Sequence, residues 1–209
     1  NINKLMYNYF FLKKNTSSTI ILPSYQCKNK KMHLMNVVII HNFINIFPSN
    51  DIADHTRKKF QFIACGRWNN QKGADRLLSI FKNSAFKLNF FGEIRTIIEN
   101  KNIVFHGINQ MENVYANSDC LLLLSRFEGY PNVVNEARAS GCSIILSKEN
   151  SWLQEVEIVS ENIIFVGTEF EIKAFIESND VKAMKNALSK SDIKKYNSSL
   201  TDQLELLLN

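Results

Sequence analysis

Between Phe60 and Val166 the sequence alternates short apolar runs with helical periods, and few folds satisfy that alternation. The runs Phe60–Cys65, Leu88–Phe91, Ile103–His106, Cys120–Leu124, Ser143–Leu146 and Ile163–Val166 are of strand length and mostly uninterrupted by polar residues. Uninterrupted apolar strands suit a parallel sheet covered on both faces. Helical patterns fall between most of them, at Ala74–Asn83, Met111–Asn117, Asn132–Ser140 and Trp152–Val159. Strand, helix, strand repeated in this way predicts right-handed βαβ units in an α/β fold, a Rossmann-like parallel sheet with helices on both faces. Ligands of such a sheet bind outside the carboxyl ends of its strands.

The flanking segments are less regular. Residues 1–18 carry a helical pattern, Thr19–Leu22 reads as a short strand closed by Pro23, and Cys27–Met35 as a basic helix. Val37–His41 is a β-branched strand, and Asn42–Arg57 reads as a linker. Three more helices are expected near Phe170–Glu177, Val181–Leu188 and Ile193–Leu208, the last amphipathic through Leu200 and Leu204.

Charge is unevenly distributed. Residues 1–59 hold 9 Lys/Arg against 2 Asp/Glu, whereas residues 60–209 hold 16 against 18. The basic N-terminal region fits either contact with anionic lipid headgroups, which would make the protein peripheral at the inner face of a membrane, or a general Lys and Asn bias. Tyr7, Tyr9, Phe10 and Phe11 would suit an interfacial helix or a core helix equally. No run of 18 or more apolar residues is present, so no spanning helix is expected. Asn1-Ile-Asn-Lys has neither a Met nor a secretory pattern and is not expected to be the native start. Cys27, Cys65, Cys120 and Cys142 form no Cys-x-x-Cys or metal spacing, which favours reduced thiols in a cytoplasmic protein. No Asp-x-Asp or His cluster suggests a metal, no nucleic-acid pattern is present, and Ser125 has no nearby His for a triad.

Chemistry concentrates in two stretches. In Ser125–Gly141, Gly129 and Pro131 mark a turn, and Pro131 suits the start of a helix. Backbone N–H groups near Asn132, Val133 and Val134 would point from the helix mouth, a ready anion site. Glu128 precedes that mouth, and Glu136 lies about 6 Å along the axis from Asn132. Either they are solvated surface residues or they hold hydroxyls on two parts of one long ligand with the anion between, the layout of a nucleoside diphosphate sugar. The second stretch, Cys65-Gly-Arg-Trp-Asn-Asn-Gln-Lys-Gly-Ala, brings Arg67 and Lys72 out after the first strand. An Arg fork and a mobile Lys ammonium suit a diphosphate, although two surface cations are commonly just solvated.

Phe-Glu-Gly-Tyr-Pro-Asn-Val-Val-Asn-Glu-Ala (127–137) resembles the Glu-x7-Glu signature of family 4 retaining glycosyltransferases with the GT-B fold. Gly-Arg-x4-Lys-Gly (66–73) is similar to that family's diphosphate site. The resemblance covers roughly residues 36–190. It implies the following. Arg67, Lys72, Glu128, Gly129, Tyr130, Pro131, Asn132, Val133, Val134 and Glu136 bind the donor. Glu136 takes the ribose and Glu128 lies near the donor sugar. Arg67, Lys72 and Glu128 carry the catalytic roles. His106, Gly107 and Ile108 meet the base, and Phe90-Phe91-Gly92-Glu93 is similar to a family turn near the donor. Asn135 and Arg138 depart from the apolar residues usual there, and Ser151-Trp152 stands where the family often has two glycines, with Glu155 following as in the family.

Under this resemblance, residues 1–36 are a remnant of the acceptor lobe, 37–57 the interlobe strand and linker, and 58–209 the C-terminal, donor-binding lobe, with most of the N-terminal lobe missing. The chain alone is then expected to be inactive. The implied reaction moves a sugar from a UDP- or GDP-sugar to a hydroxyl of a glycan or lipid-linked acceptor, with retention and without a cofactor. Bacterial surface polysaccharide or lipopolysaccharide synthesis is the expected setting. Two alternatives stay open: a non-catalytic nucleotide-sugar-binding module and a GT-B-fold nucleotide-sugar epimerase.

Overall fold

The structure, a computed structural model, describes residues 10–14, 17–22, 36–39, 60–94, 99–107, 111–155 and 162–178, with single residues 198 and 202. The chain divides into two compact units. One comprises Asn1–Ile44, Glu128–Asn132 and Ser191–Asn209, and the other Asn45–Phe127 and Val133–Lys190.

The first unit contains a three-stranded sheet of β1 (Phe10–Lys14), β2 (Ser17–Leu22) and β3 (Asn36–Ile39), in that order. β1 pairs antiparallel with β2, Phe10 opposite Ile21, and β2 pairs parallel with β3. The helix expected across residues 1–18 is therefore corrected over residues 10–14 and 17–18. Phe10-Phe11-Leu12 has strand-forming composition, and the partner strand supplies hydrogen bonds that a short helical period cannot outweigh. The Cys27–Met35 helix and the 42–57 linker lie outside the described residues, as do the helices expected at 181–188 and 193–208.

The second unit is built on a six-stranded parallel sheet. Its elements are β4 (Phe62–Arg67), α1 (Ala74–Phe81), β5 (Leu88–Glu93), β6 (Ile103–His106), α2 (Met111–Ala116), β7 (Cys120–Leu123), α3 (Asn132–Ala139, of which Asn132 itself falls in the first unit), β8 (Ser143–Ser147), β9 (Ile163–Gly167) and α4 (Glu169–Glu177). The strand order is β6-β5-β4-β7-β8-β9, and every neighbouring pair is parallel. This is the Rossmann-like α/β arrangement, with the order reversing between β4 and β7.

The inner strands are held by burial. Phe62, Leu88, Leu121, Ile144 and Ile145 are fully buried, and Phe62 meets Phe60, Phe81 and Phe86 at ring-centroid distances of 4.9, 5.7 and 5.5 Å. Leu77 and Ile80 of α1 and Ile172 and Ile176 of α4 join Phe62, Phe90, Leu122 and Ile145 in one cluster on one face of the sheet. Successive strand residues face opposite sides, so Ile63 and Cys65 point away from that cluster. α4 begins at a capping box in which Thr168 and Glu171 exchange hydrogen bonds.

One expected helix changes character. The segment predicted as a helix at Trp152–Val159 is a 3₁₀ segment over Lys148–Glu155, kinked at Asn150. Asn150 is fully buried, and its Nδ2 donates to the Ser125 carbonyl at 2.6 Å and to Ser147 Oγ at 2.9 Å. Ser147 Oγ also donates to the Ser125 carbonyl at 2.8 Å. This polar clamp holds the chain against the end of β7 and prevents a regular helix from starting directly after β8. Residues 156–159 lie outside the described residues.

Gly66 and Gly92 face each other across β4 and β5, both with positive φ, 129° and 142°. A Cβ on Gly92 would stand 1.9 Å from the Gly66 carbonyl oxygen. Gly92→Ala is expected to lower the unfolding free energy by more than about 2 kcal/mol in urea titrations. An unchanged midpoint would show that the two backbones need not approach so closely.

Candidate functional site

The two sequence motifs follow β4 and β7, the neighbours at which the strand order reverses. Their pairing covers only Phe62 with Cys120 and Ile63 with Leu121, whereas β4 pairs with β5 over six positions. The carboxyl halves of β4 and β7 are thus unpaired with one another, and the loop 68–73 packs against the β7 end.

That loop is fixed by several contacts. Asn69 caps the 3₁₀ turn Asn70–Lys72, its Oδ1 accepting from Lys72 N at 2.9 Å. Gly73, at φ 79°, lies so close to β7 that a Cβ would stand 2.3 Å from the Leu124 carbonyl oxygen. Arg126 N donates to the Gln71 carbonyl at 2.8 Å, and the Arg126 guanidinium grips both Asp75 oxygens at 2.8 and 2.7 Å and also reaches the Asn70 carbonyl. Arg76 donates to the Leu124 carbonyl at 3.2 Å and pairs with Glu149 through both guanidinium ends. Sequence reading missed this clamp, because lone Arg residues carry no signal until the strands are ordered.

Arg67, the last residue of β4, is exposed, and Lys72 is half-buried. The Lys72 stem passes over Gly66, where a Cβ would lie 3.8 Å from Lys72 Cε. The loop therefore brings the Lys72 stem beside the residue that precedes Arg67, at the carboxyl edge of the sheet.

α3 starts at Asn132, as the sequence predicts, so the N–H groups of Val133 and Val134 belong to its open first turn. Its buried face holds Val134, Asn135, Ala137 and Arg138. The two departures from the family pattern thus point inward: Arg138 donates to Asn162 Oδ1, and Asn162 Nδ2 donates to the Cys142 carbonyl at 3.2 Å. Glu136, half-buried on the second turn, accepts a hydrogen bond at Oε2 from the Tyr115 hydroxyl at 3.0 Å. Burial raises its pKa, and the Tyr115 hydrogen bond partly counters the rise. Tyr115, fully buried, also neighbours Cys65, whose thiol burial pushes up to about 12. Tyr115 is a second site neighbour that sequence reading missed; an aromatic in a short helix reads as core.

The five residues Glu128–Asn132 belong to the first unit. Among them Glu128, Tyr130 and Pro131 are buried, Gly129 is half-buried and Asn132 is exposed. His106 ends β6. Its ring stacks on Phe91 at 4.5 Å, and its Nε2 lies 2.9 Å from Asn89 Oδ1. The Gly107 carbonyl accepts from Gly92 N at 2.8 Å, whereas Ile108 lies outside the described residues. Gly92 and Glu93 are the last two residues of β5, Ser151 is exposed and Trp152 half-buried. Among the described residues no helix is long and apolar enough to cross a membrane.

Residues 48–197 match the family described as Glycosyl transferases group 1. The chain belongs to that family. A 41.2 kDa protein of the cps region of Klebsiella pneumoniae is 27% identical to this group 1 chain over 125 residues, 55% of this chain and 34% of its own length. Among solved structures, sucrose-phosphate synthase of Thermosynechococcus elongatus superposes with a TM-score of 0.67 at 16% identity, over 91% of this chain and 57% of that one. HepE of Anabaena, solved with UDP and glucose, gives 0.63 at 15% identity, over 88% and 62%. The lipopolysaccharide outer core galactosyltransferase WaaB gives 0.58 at 17% identity, over 88% and 61%. The chain thus spans between a third and two-thirds of the length of these proteins. The group 1 chain is thus similar in fold to part of each of these three structures.

The Arg76 guanidinium holds the Glu149 carboxyl down at about 2, from an ordinary 4.5. A depressed carboxyl stabilises the fold above its ordinary pKa, and that contribution is lost as pH falls toward 2. Because the Glu149 side chain is 43% exposed, the effect is expected below about 1 kcal/mol. Urea midpoints of Glu149→Gln are expected to fall less steeply than the parent's between pH 4.5 and 2.5. Parallel acid profiles would contradict the pairing.

Proposed function

We propose that this group 1 chain supplies the donor-binding part of a retaining family 4 glycosyltransferase. The observation that carries the reading is the juxtaposition of the Arg67–Lys72 loop with the end of β7 at the strand-order reversal, where ligands of doubly wound sheets sit. Residues 58–209 form the nucleotide-sugar domain in this reading, 37–57 the link, and 1–36 part of an acceptor lobe. The donor is a UDP- or GDP-sugar, a reading supported by the UDP and glucose bound to HepE.

Arg67 and Lys72 hold the diphosphate together with the first-turn N–H groups of α3. Glu136 takes the ribose hydroxyls, Glu128 the donor sugar with Gly129 to Asn132 around it, and His106, Gly107 and Ile108 the base. As the glycosidic bond breaks, negative charge grows on the departing diphosphate. Fixed cations and N–H dipoles stabilise that charge more than the ground state, which is what accelerates the step. The acceptor hydroxyl attacks from the same face, and the diphosphate accepts its proton, so configuration is retained. A glycan or lipid-linked acceptor in surface polysaccharide synthesis fits the cps-region relative, and the basic N-terminal region would place the protein at the inner membrane face.

Calorimetric titration with UDP and GDP tests the assignment. Arg67→Ala and Lys72→Ala are each expected to weaken diphosphate binding by about 1.5–3 kcal/mol, the range for a lost charge-assisted contact. Glu136→Ala should weaken the nucleotide itself. Glu128→Ala should leave nucleotide binding intact and remove only the preference for a sugar-bearing donor. Parental affinity in both cation variants would refute the site.

A further inference from the structure

Glu136 is a half-buried carboxylate held by one neighbour. Among the described residues its side chain accepts from the Tyr115 hydroxyl alone, at Oε2 and 3.0 Å. Tyr115 is fully buried in α2, between β6 and β7, and α3 follows β7. The same hydroxyl has the Cys65 thiol of β4 as a neighbour. A thiol and a phenol are protonated at neutral pH and burial moves both further in that direction, so the phenol's proton is available to the carboxylate. One oxygen of the carboxylate on α3 is thus held from α2, by a hydroxyl that itself has Cys65 of β4 as a neighbour.

We infer that Tyr115 is a positioning residue for recognition of a vicinal diol: it fixes Oε2 of Glu136 and leaves Oε1 to accept from the paired hydroxyls of a ribose. The inference rests on the ribose role proposed for Glu136 and adds what makes that role selective. A solvated Glu on a helix samples several rotamers and pays for ordering when it binds a hydroxyl. A buried phenol that cannot itself move holds the carboxylate in one rotamer beforehand. It also offsets part of the desolvation that raises the Glu136 pKa, keeping an acceptor-only group where hydroxyls must donate. Glu136 is not a general base in this scheme, since no proton leaves the diol.

The readout is the preference for a ribonucleotide over its 2′-deoxy counterpart, measured by calorimetry with UDP and 2′-deoxy-UDP, and with the corresponding guanine pair. The parent chain is expected to prefer the ribonucleotide about tenfold, as one hydrogen bond to a charged acceptor allows. Glu136→Ala should bring the ratio near one. Tyr115→Phe keeps the buried ring and removes only the hydroxyl, and it should cut the ratio at least about threefold. Cys65→Ala, which removes the other neighbour of that hydroxyl, should keep the parental ratio. Parental discrimination in Tyr115→Phe would overturn the positioning role, even where Glu136→Ala confirms the ribose contact. Equal collapse in Cys65→Ala would also overturn it, by tracing the effect to general loosening of the buried cluster. Unchanged discrimination in Glu136→Ala would instead remove the proposed ribose role, and the Tyr115 inference with it.

Discussion

The structure of the second unit depends on how little β4 and β7 pair. Two residue pairs join them at their amino ends, and beyond Ile63 and Leu121 the ladder stops. Strands in a sheet satisfy their backbone groups through their neighbours, so at a gap in the carboxyl half other groups of the chain take over that role. The loop 68–73 supplies part of that filling. Gly73 lies against the Leu124 carbonyl too closely for any side chain, Arg126 N donates to the Gln71 carbonyl, and Arg76 donates to the Leu124 carbonyl. The cations Arg67 and Lys72 are therefore carried on backbone held from both strands. Positioning on rigid elements is what lets a few charges discriminate between ligands.

The sheet itself was largely legible in the sequence. The six strands of the second unit begin and end within two residues of the apolar runs that predict them, because burial on both faces leaves continuous apolar signals such as Cys120–Leu123. α1, α3 and α4 were legible for the same kind of reason, through turn residues and periodicity. The element that was misread, residues 10–14, depends on a partner strand, and pairing is invisible to local pattern. The segment after β8 was misread because its course is decided by the buried amide of Asn150, a single side chain reaching back to Ser125.

The site divides along the same line. Arg67, Lys72 and Glu136 stood out in the sequence through the motifs that resemble the family's, since by residue type alone each fits a solvated surface residue as well. Tyr115, Arg76 and Arg126 did not, because they act on other residues of the chain. Tyr115 reads as core by every sequence criterion, and it is core; only the 3.0 Å contact to Glu136 gives it a second role. Asn135 and Arg138 show the converse. They are polar where the resembling family is apolar, yet both are buried, with Arg138 tied to Asn162.

The central claim is that a nucleoside diphosphate lies at the carboxyl edge beside β4, on Arg67, Lys72 and the first turn of α3. A crystal structure of the chain with UDP tests this most directly. The account predicts the diphosphate oxygens within hydrogen-bond distance of the Arg67 guanidinium, the Lys72 ammonium and the Val133 and Val134 amides, with the ribose hydroxyls on Glu136 Oε1. UDP bound elsewhere on the chain, with its diphosphate touching neither cation, would contradict it.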